Sequence, residues 1–404
     1  MSTISDFFAD NWRRIIVAIA ALVGFYFLFF YSLTAFVPLY SPLEIATQNN
    51  STSLRAIFEN PIDAPYKLLL WIPFKLGHHS ELWGRLLSSV IGVASVLIFY
   101  FITRTLFSRR IAVLTTLLFA TSTGLLLASR LGAPLILQLF GILILISLAP
   151  VFMSYKRTSL MLYVAASLSA ALMYVPGMAW FILLAFMVMS RKGYLLISKT
   201  AIKHRILATT LFLLLVTPLI FAIVRDPRTG LAILALPEQM PPVALALDRA
   251  EDLFLSLFWK GTGPAEIMLV GTPILNVIEI SLIIIGLIVQ IRSARLRNNL
   301  FVLGGALLLF ALIVLGNIIQ YQMLVPFLYL SMASGLFYLV RQWLKVFPTN
   351  PVANFFGTSL VLLMVATSCL YHGRQYFIGW QHSTATHKVF SQQQPGEYGG
   401  PRDK

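Results

Sequence analysis

The chain has 404 residues, 58% of them hydrophobic and only 11% charged, with 30 Lys and Arg against 15 Asp and Glu for a net charge of +15. A soluble domain is roughly half apolar and a quarter charged, so this composition, with a mean hydropathy of +0.83, excludes a soluble enzyme and describes a polytopic membrane protein. Apolar runs of helix-spanning length recur without the polar–apolar alternation of a barrel strand, and the single cysteine, Cys369, excludes an intrachain disulfide and a cysteine-clustered metal site.

In chain order, the first predicted span is Ile15–Val37, behind Trp12-Arg13-Arg14. No small-residue cleavage site follows promptly, so it reads as an uncleaved span. The stretch Tyr40 to His79 is the first long polar interruption. It carries Glu44, Glu59 and Asp63, then Lys67 and Lys75 among aromatic residues. A carboxylate can take a proton from a sugar hydroxyl, and a cation can hold a leaving phosphate. The plain alternative is a solvated loop. Spans follow near Leu86–Ile102, Ile111–Ala128, Pro134–Met153, Leu160–Met173, Val175–Met189 and Ile206–Val224. Tyr174-Val-Pro-Gly reads either as a tight turn between two of them or as a kink. A second polar region covers Arg225 to Thr272. The last spans are Pro273–Ile291, Leu300–Gly316, Met323–Val340 and Asn354–Tyr371. The expected fold class is an all-α bundle of about 11 transmembrane helices.

Charge placement orients the bundle. Of the 30 basic residues, 17 fall at the N-terminus or in the loops of one side, with only Asp6 and Asp10 of the 15 acidic ones. The positive-inside rule makes that side cytoplasmic, with the N-terminus in and the C-terminus out, for a multi-pass protein of the plasma membrane. The net charge is thus a matter of topology and attraction to anionic membrane lipid, not of nucleic acid. Both long polar regions then lie outside, where nucleotide donors are absent, and no P-loop or dinucleotide glycine pattern occurs. Chemistry there calls for a donor that is itself a lipid.

Several segments in order resemble a family. They are Asn60-Pro-Ile-Asp-Ala-Pro-Tyr with Lys67 to Trp71, Glu81-Leu-Trp-Gly-Arg85, Arg104 to Arg110, Ala128-Ser-Arg130-Leu-Gly, Leu172-Met-Tyr174-Val-Pro-Gly, Leu257-Phe-Trp-Lys260-Gly, Gly271-Thr-Pro-Ile-Leu and the span of Pro326. This set is similar to the GT-C glycosyltransferases, the protein mannosyltransferase and aminoarabinose transferase-like enzymes (glycosyltransferase family 39-like). The resemblance implies a GT-C domain over 1–345; hydropathy adds a further transmembrane helix over 346–373, and the polar composition of 374–404 reads as a disordered outer tail. The resemblance also implies inverting transfer of a sugar from a polyprenyl-phosphate carrier to an outer-face glycan, lipid or protein acceptor of the cell envelope. The pattern names no certain cofactor, and a divalent metal is compatible with it.

The family's first loop carries an Asp-Glu pair; this chain has Pro42-Leu43-Glu44, so Glu44 stands at the glutamate and Leu43 at the aspartate. Glu44 is the expected general base, with Asp63 or Glu59 as a second acid. Lys67, Arg85, Arg130, Lys260 and Tyr321 are the expected donor- and phosphate-binding residues. Ordinary snorkelling to the interface is the bland account of Arg85 and Arg130. Glu279, within a span, is a candidate buried acid. Two other readings stand beside the transferase: a GT-C-like scaffold that binds a lipid-linked glycan without catalysis, and a secondary transporter.

Overall fold

The computed structural model describes residues 16, 19–34, 40–77, 81–154, 158–292, 296–316 and 320–390. Among these there is helix and no strand. The elements are α1 (Ile19–Phe30), α2 (Pro42–Asn49), α3 (Leu54–Glu59), α4 (Ala64–Lys75), α5 (Glu81–Leu106), α6 (Arg109–Thr121), α7 (Thr123–Arg130), α8 (Leu135–Ser154) and α9 (Thr158–Leu172). They continue as α10 (Met178–Lys199), α11 (Ile202–Arg225), α12 (Pro227–Ile233), α13 (Val243–Phe258), α14 (Val277–Arg292), α15 (Leu296–Gly316), α16 (Val325–Val346), α17 (Pro351–Arg374) and α18 (Thr384–Phe390).

Helix lies within each expected span as far as its residues are described, with 15, 17–18 and 35–37 of the first outside them, but length and composition do not reproduce the expected count of about 11. Five described helices are long and apolar enough to cross a bilayer: Leu82–Leu106, Ile202–Arg225, Asn299–Gly316, Tyr321–Val346 and Pro351–Trp380. The chain is an integral, multi-pass, all-α membrane protein. The segment expected to be one span over Ile111–Ala128 is broken, with α6 and α7 meeting at 56°. Ser122 makes the break. Its backbone is extended, and its hydroxyl accepts from Leu125 N–H to cap α7. Counted as one, the pair is a sixth span; Ile19–Phe30, Leu135–Leu148, Ser159–Leu172 and Met178–Val188 are shorter apolar helices. Tyr174-Val-Pro-Gly is a tight turn: Gly177 adopts φ +78, and its N–H donates to Ile233 O.

Close approach through small residues holds the bundle, as lipid supplies no hydrophobic drive between helices. The α14–α16 pair is the tightest case. A Cβ on Gly286 would lie 1.8 Å from Ser331 O, and one on Gly335 2.1 Å from Leu282 O. Phe99 and Phe119 stack at 4.2 Å, with Tyr329 edge-on to Phe119. A smaller apolar cluster of Ile57, Ala64, Ala170, Tyr174, Val216, Leu219 and Ile233 seats the first loop on α9 and α11. The outward faces of α11 and α17 stay apolar and exposed, as a lipid contact requires.

The turns alternate between two ends. One gathers α2–α4, the Tyr174 turn and the 226–276 region, joined by bonds from Leu43 N–H to Glu266, Asp63 N–H to Tyr174 O and Tyr321 O–H to Ile267 O. The other end carries Arg104, Arg109, Arg110, Lys203, Arg292 and Lys345. The segment assigned from sequence to a disordered tail behaves differently through Phe390. Gln375–Trp380 form a π turn and α18 follows, with Tyr376, Trp380 and Phe390 buried.

Candidate functional site

Glu44 owes its place to local sequence. Ser41-Pro42-Leu43-Glu44 is a capping box: Ser41 Oγ accepts from Glu44 N–H at 3.1 Å, and Glu44 Oε2 accepts from Ser41 N–H at 3.0 Å. Pro42 sits at the first turn and keeps Ser41 extended. The carboxylate is then taken up completely. Arg85 approaches in a fork, Nε to Oε1 at 2.8 Å and Nη2 to Oε2 at 3.0 Å, and Gly132 N–H donates to Oε1 at 2.8 Å. Four donors fill the four acceptor positions of the carboxylate. Glu44 is 1% exposed and Arg85 2%. Arg85 also donates to Leu33 O. Here Glu44 ties the first loop to α5 and to the α7–α8 turn, and Arg85 is buried rather than snorkelling.

Asp63 is the opposite case. It precedes Ala64-Pro65, caps α4 in the left-handed region at φ 56, and makes no side-chain cap bond. Its main chain is fixed, N–H to Tyr174 O and C=O accepting from Tyr66 and Lys67. Its Oδ1 is buried without a hydrogen-bond partner. Such strain and unmet valence cluster at functional sites. Burial pushes its carboxyl up to about 7, opposed by the charge of Lys67. Lys67, one turn on, is pushed down to about 8 by desolvation, with Asp63 opposing; its ammonium donates to Asn60 O at 2.9 Å. Tyr66 stands between the two acids. Its hydroxyl donates to Gly84 O and pairs with Ser88 Oγ, and burial together with the fields of Glu44 and Asp63 raises the phenol.

The remaining expected residues divide. Arg130 is buried at the end of α7, donating to Leu28 O, Tyr31 O and Tyr376 Oη. With Arg85 it lines a cavity of about 20 Å³. Lys67 and Lys260 do not line that cavity, and Lys260 is exposed. Tyr321 is buried, and its hydroxyl donates to Ile267 O, fastening the second polar region. Glu59 is paired with Arg55 on the surface. Glu279 is buried and clamps α14 to α17 through His372, at 2.8 Å, with Tyr329 donating to the same oxygen. Among the described residues no three His, Cys, Asp or Glu converge as metal ligands.

Sequence reasoning missed two acids' worth of connection. Glu266 accepts from Leu43 N–H at 3.1 Å, and burial raises its carboxyl, with Glu44 adding repulsion. His372, just past the last expected span, is the partner of Glu279. Nothing in local spacing marks either, since the partners lie 223 and 93 residues away.

No family model matches the chain, and no curated protein matches it. Two solved structures do. The apo structure of ArnT from Cupriavidus metallidurans aligns at 14% identity and TM-score 0.56, over 95% of this chain and 78% of that one. The same protein bound to undecaprenyl phosphate aligns at 14% identity and TM-score 0.53, over 94% and 77%. At that identity the likeness is one of fold alone: the chain shares the helical architecture of ArnT.

Proposed function

We propose that the chain is a membrane glycosyltransferase that moves a sugar from a polyprenyl-phosphate carrier to a hydroxyl at the face where the first loop lies. The observation that carries this is Asp63, a buried carboxylate with an unpartnered oxygen one turn from Lys67, within a fold shared with ArnT, which in one structure is bound to undecaprenyl phosphate. Asp63 takes the proton of the acceptor hydroxyl. The acceptor oxygen bonds to the anomeric carbon, and the bond from that carbon to the carrier phosphate breaks with inversion. The electron pair leaves on the phosphate, held by Arg130, while Lys67 holds the charge of Asp63 in place. Glu44 acts as the counter-charge that fixes Arg85 and the loop; its filled acceptor positions argue for this division of roles over its use as the base.

The test is transfer by purified protein from a polyprenyl-phosphate sugar. Asp63→Asn should lower the rate by ~10²–10⁴-fold, the usual cost of a positioned base, and leave carrier binding in place. The non-catalytic scaffold has one observation in its favour, the lock on the family-position carboxylate. Carrier binding with no transfer from any such donor would select it.

A further inference from the structure

The last span does not end the fold at the site end of the molecule. Gln375–Phe390 returns across it as a strap. Gln375 Nε2 donates to Thr272 Oγ1 and Pro273 O, each at 3.0 Å, and Trp380 Nε1 to Ala265 O at 2.8 Å. Arg130 Nε donates to Tyr376 Oη at 3.0 Å. Tyr376 stacks on Trp380 at 5.5 Å, and Trp380 meets Phe390 edge-on at 5.7 Å. These three rings wall the cavity that Arg85 and Arg130 share. At about 20 Å³ it has room for one water and none for a phosphate ester.

The strap is seated imperfectly. Gln381 is 2% exposed, and both its amide atoms lack partners; Thr386 is 1% exposed, and its hydroxyl lacks one. Buried polar groups left unpaired oppose the closed arrangement, and lifting the segment would hydrate them. Its closed state therefore combines a well-packed ring cluster with built-in reasons to leave.

We propose that the strap Gln375–Phe390 is a gate over the two-arginine cavity, so that its closure and the entry of a lipid-carrier phosphate exclude each other. The inference rests on the carrier reading above and adds a regulation to it.

The test uses a reversible lock. A Cβ on Gly379 would lie 2.6 Å from Leu269 Cδ2 and 3.9 Å from its Cγ, so Leu269→Cys with Gly379→Cys in a Cys369→Ser chain sets two thiols across this contact for oxidation to a disulfide. The probe is undecaprenyl phosphate, titrated into protein in lipid nanodiscs. The oxidised form should bind it at least about tenfold more weakly than the reduced form, because the competent state is withheld. Bound undecaprenyl phosphate should also slow disulfide formation. Equal or tighter binding in the oxidised form overturns the gate while leaving the carrier reading intact. Binding in neither redox state, nor by the wild-type chain, removes the carrier reading and the gate with it. If the cysteine pair does not fold, Trp380→Ala with Phe390→Ala tests the same idea in the opposite direction: a loosened strap should bind the probe more tightly than wild type, and unchanged or weaker binding counts against a gate.

Discussion

Glu44 and Asp63 belong to one loop and are buried with opposite consequences. Glu44→Gln deletes one half of a desolvated pair and leaves the Arg85 guanidinium uncompensated. The loss should be about 3–5 kcal/mol, visible as a lower midpoint in detergent-solubilised unfolding, and Arg85→Met in the same chain should recover part of it. Asp63→Asn should behave the other way. A carboxyl raised from 3.8 to about 7 binds its proton more strongly folded than unfolded, so the fold loses stability as pH rises from about 4 to about 7. The substitution should therefore stabilise the protein at pH 8, by at most about 4 kcal/mol, and the gain should vanish toward pH 4. Transfer should follow a narrow bell, its rising limb near 7 and its falling limb near 8 where Lys67 loses its proton; the pair titrates as a unit, so these are macroscopic limbs. A flat rate between pH 6 and 9 would remove both residues from the chemistry. Asp63 and Lys67 were legible in the sequence because they lie one turn apart behind an Ala-Pro helix start. The lock on Glu44 was not, because its donors lie 41 and 88 residues further along the chain.

At the scale of elements, hydropathy places the helices well and their joints poorly. The break at Ser122 was not read from sequence because the polar run Thr121-Ser-Thr-Gly124 is short and the hydropathy on either side carries across it; the Ser122 hydroxyl caps the new helix there. Gln375–Phe390 escaped for the reverse reason. Its Gln, His, Ser and Thr read as solvated, while Tyr376 and Trp380, one helical turn apart, and Phe390 do the burying. Packing between elements yields a paired prediction. Gly286→Ala places a methyl against the backbone of α16 and should cost about 1–3 kcal/mol as the two helices are forced apart. Gly304→Ala meets nothing nearer than 3.8 Å and should be close to neutral. Thermal unfolding of the two variants side by side checks this; equal losses would contradict the tight α14–α16 contact.

For the whole molecule, the expected orientation assigns the site end to the outside. In a Cys369→Ser chain, Thr52→Cys should react with a membrane-impermeant maleimide in intact cells, and Lys345→Cys only after permeabilisation. The reversed pattern would turn the protein over and return its loops to a compartment where nucleotide donors exist.

The bonds that complete the site span very different lengths of chain. Glu44 meets Arg85 early, but Leu43 waits 223 residues for Glu266, and Arg130 waits 246 for Tyr376. During synthesis, then, the first helices are inserted long before their last partners leave the ribosome. A nascent chain halted before α17 exposes an arginine-lined hollow with no aromatic cover, and a glutamate, Glu279, with no histidine. A buried acid is costly at membrane depth, and a copy lacking α17 holds Glu279 without its histidine until His372 arrives. Docking of the 372–390 segment and concealment of these groups are one event, so a copy cut before α17 presents to membrane proteases a surface that the docked segment hides.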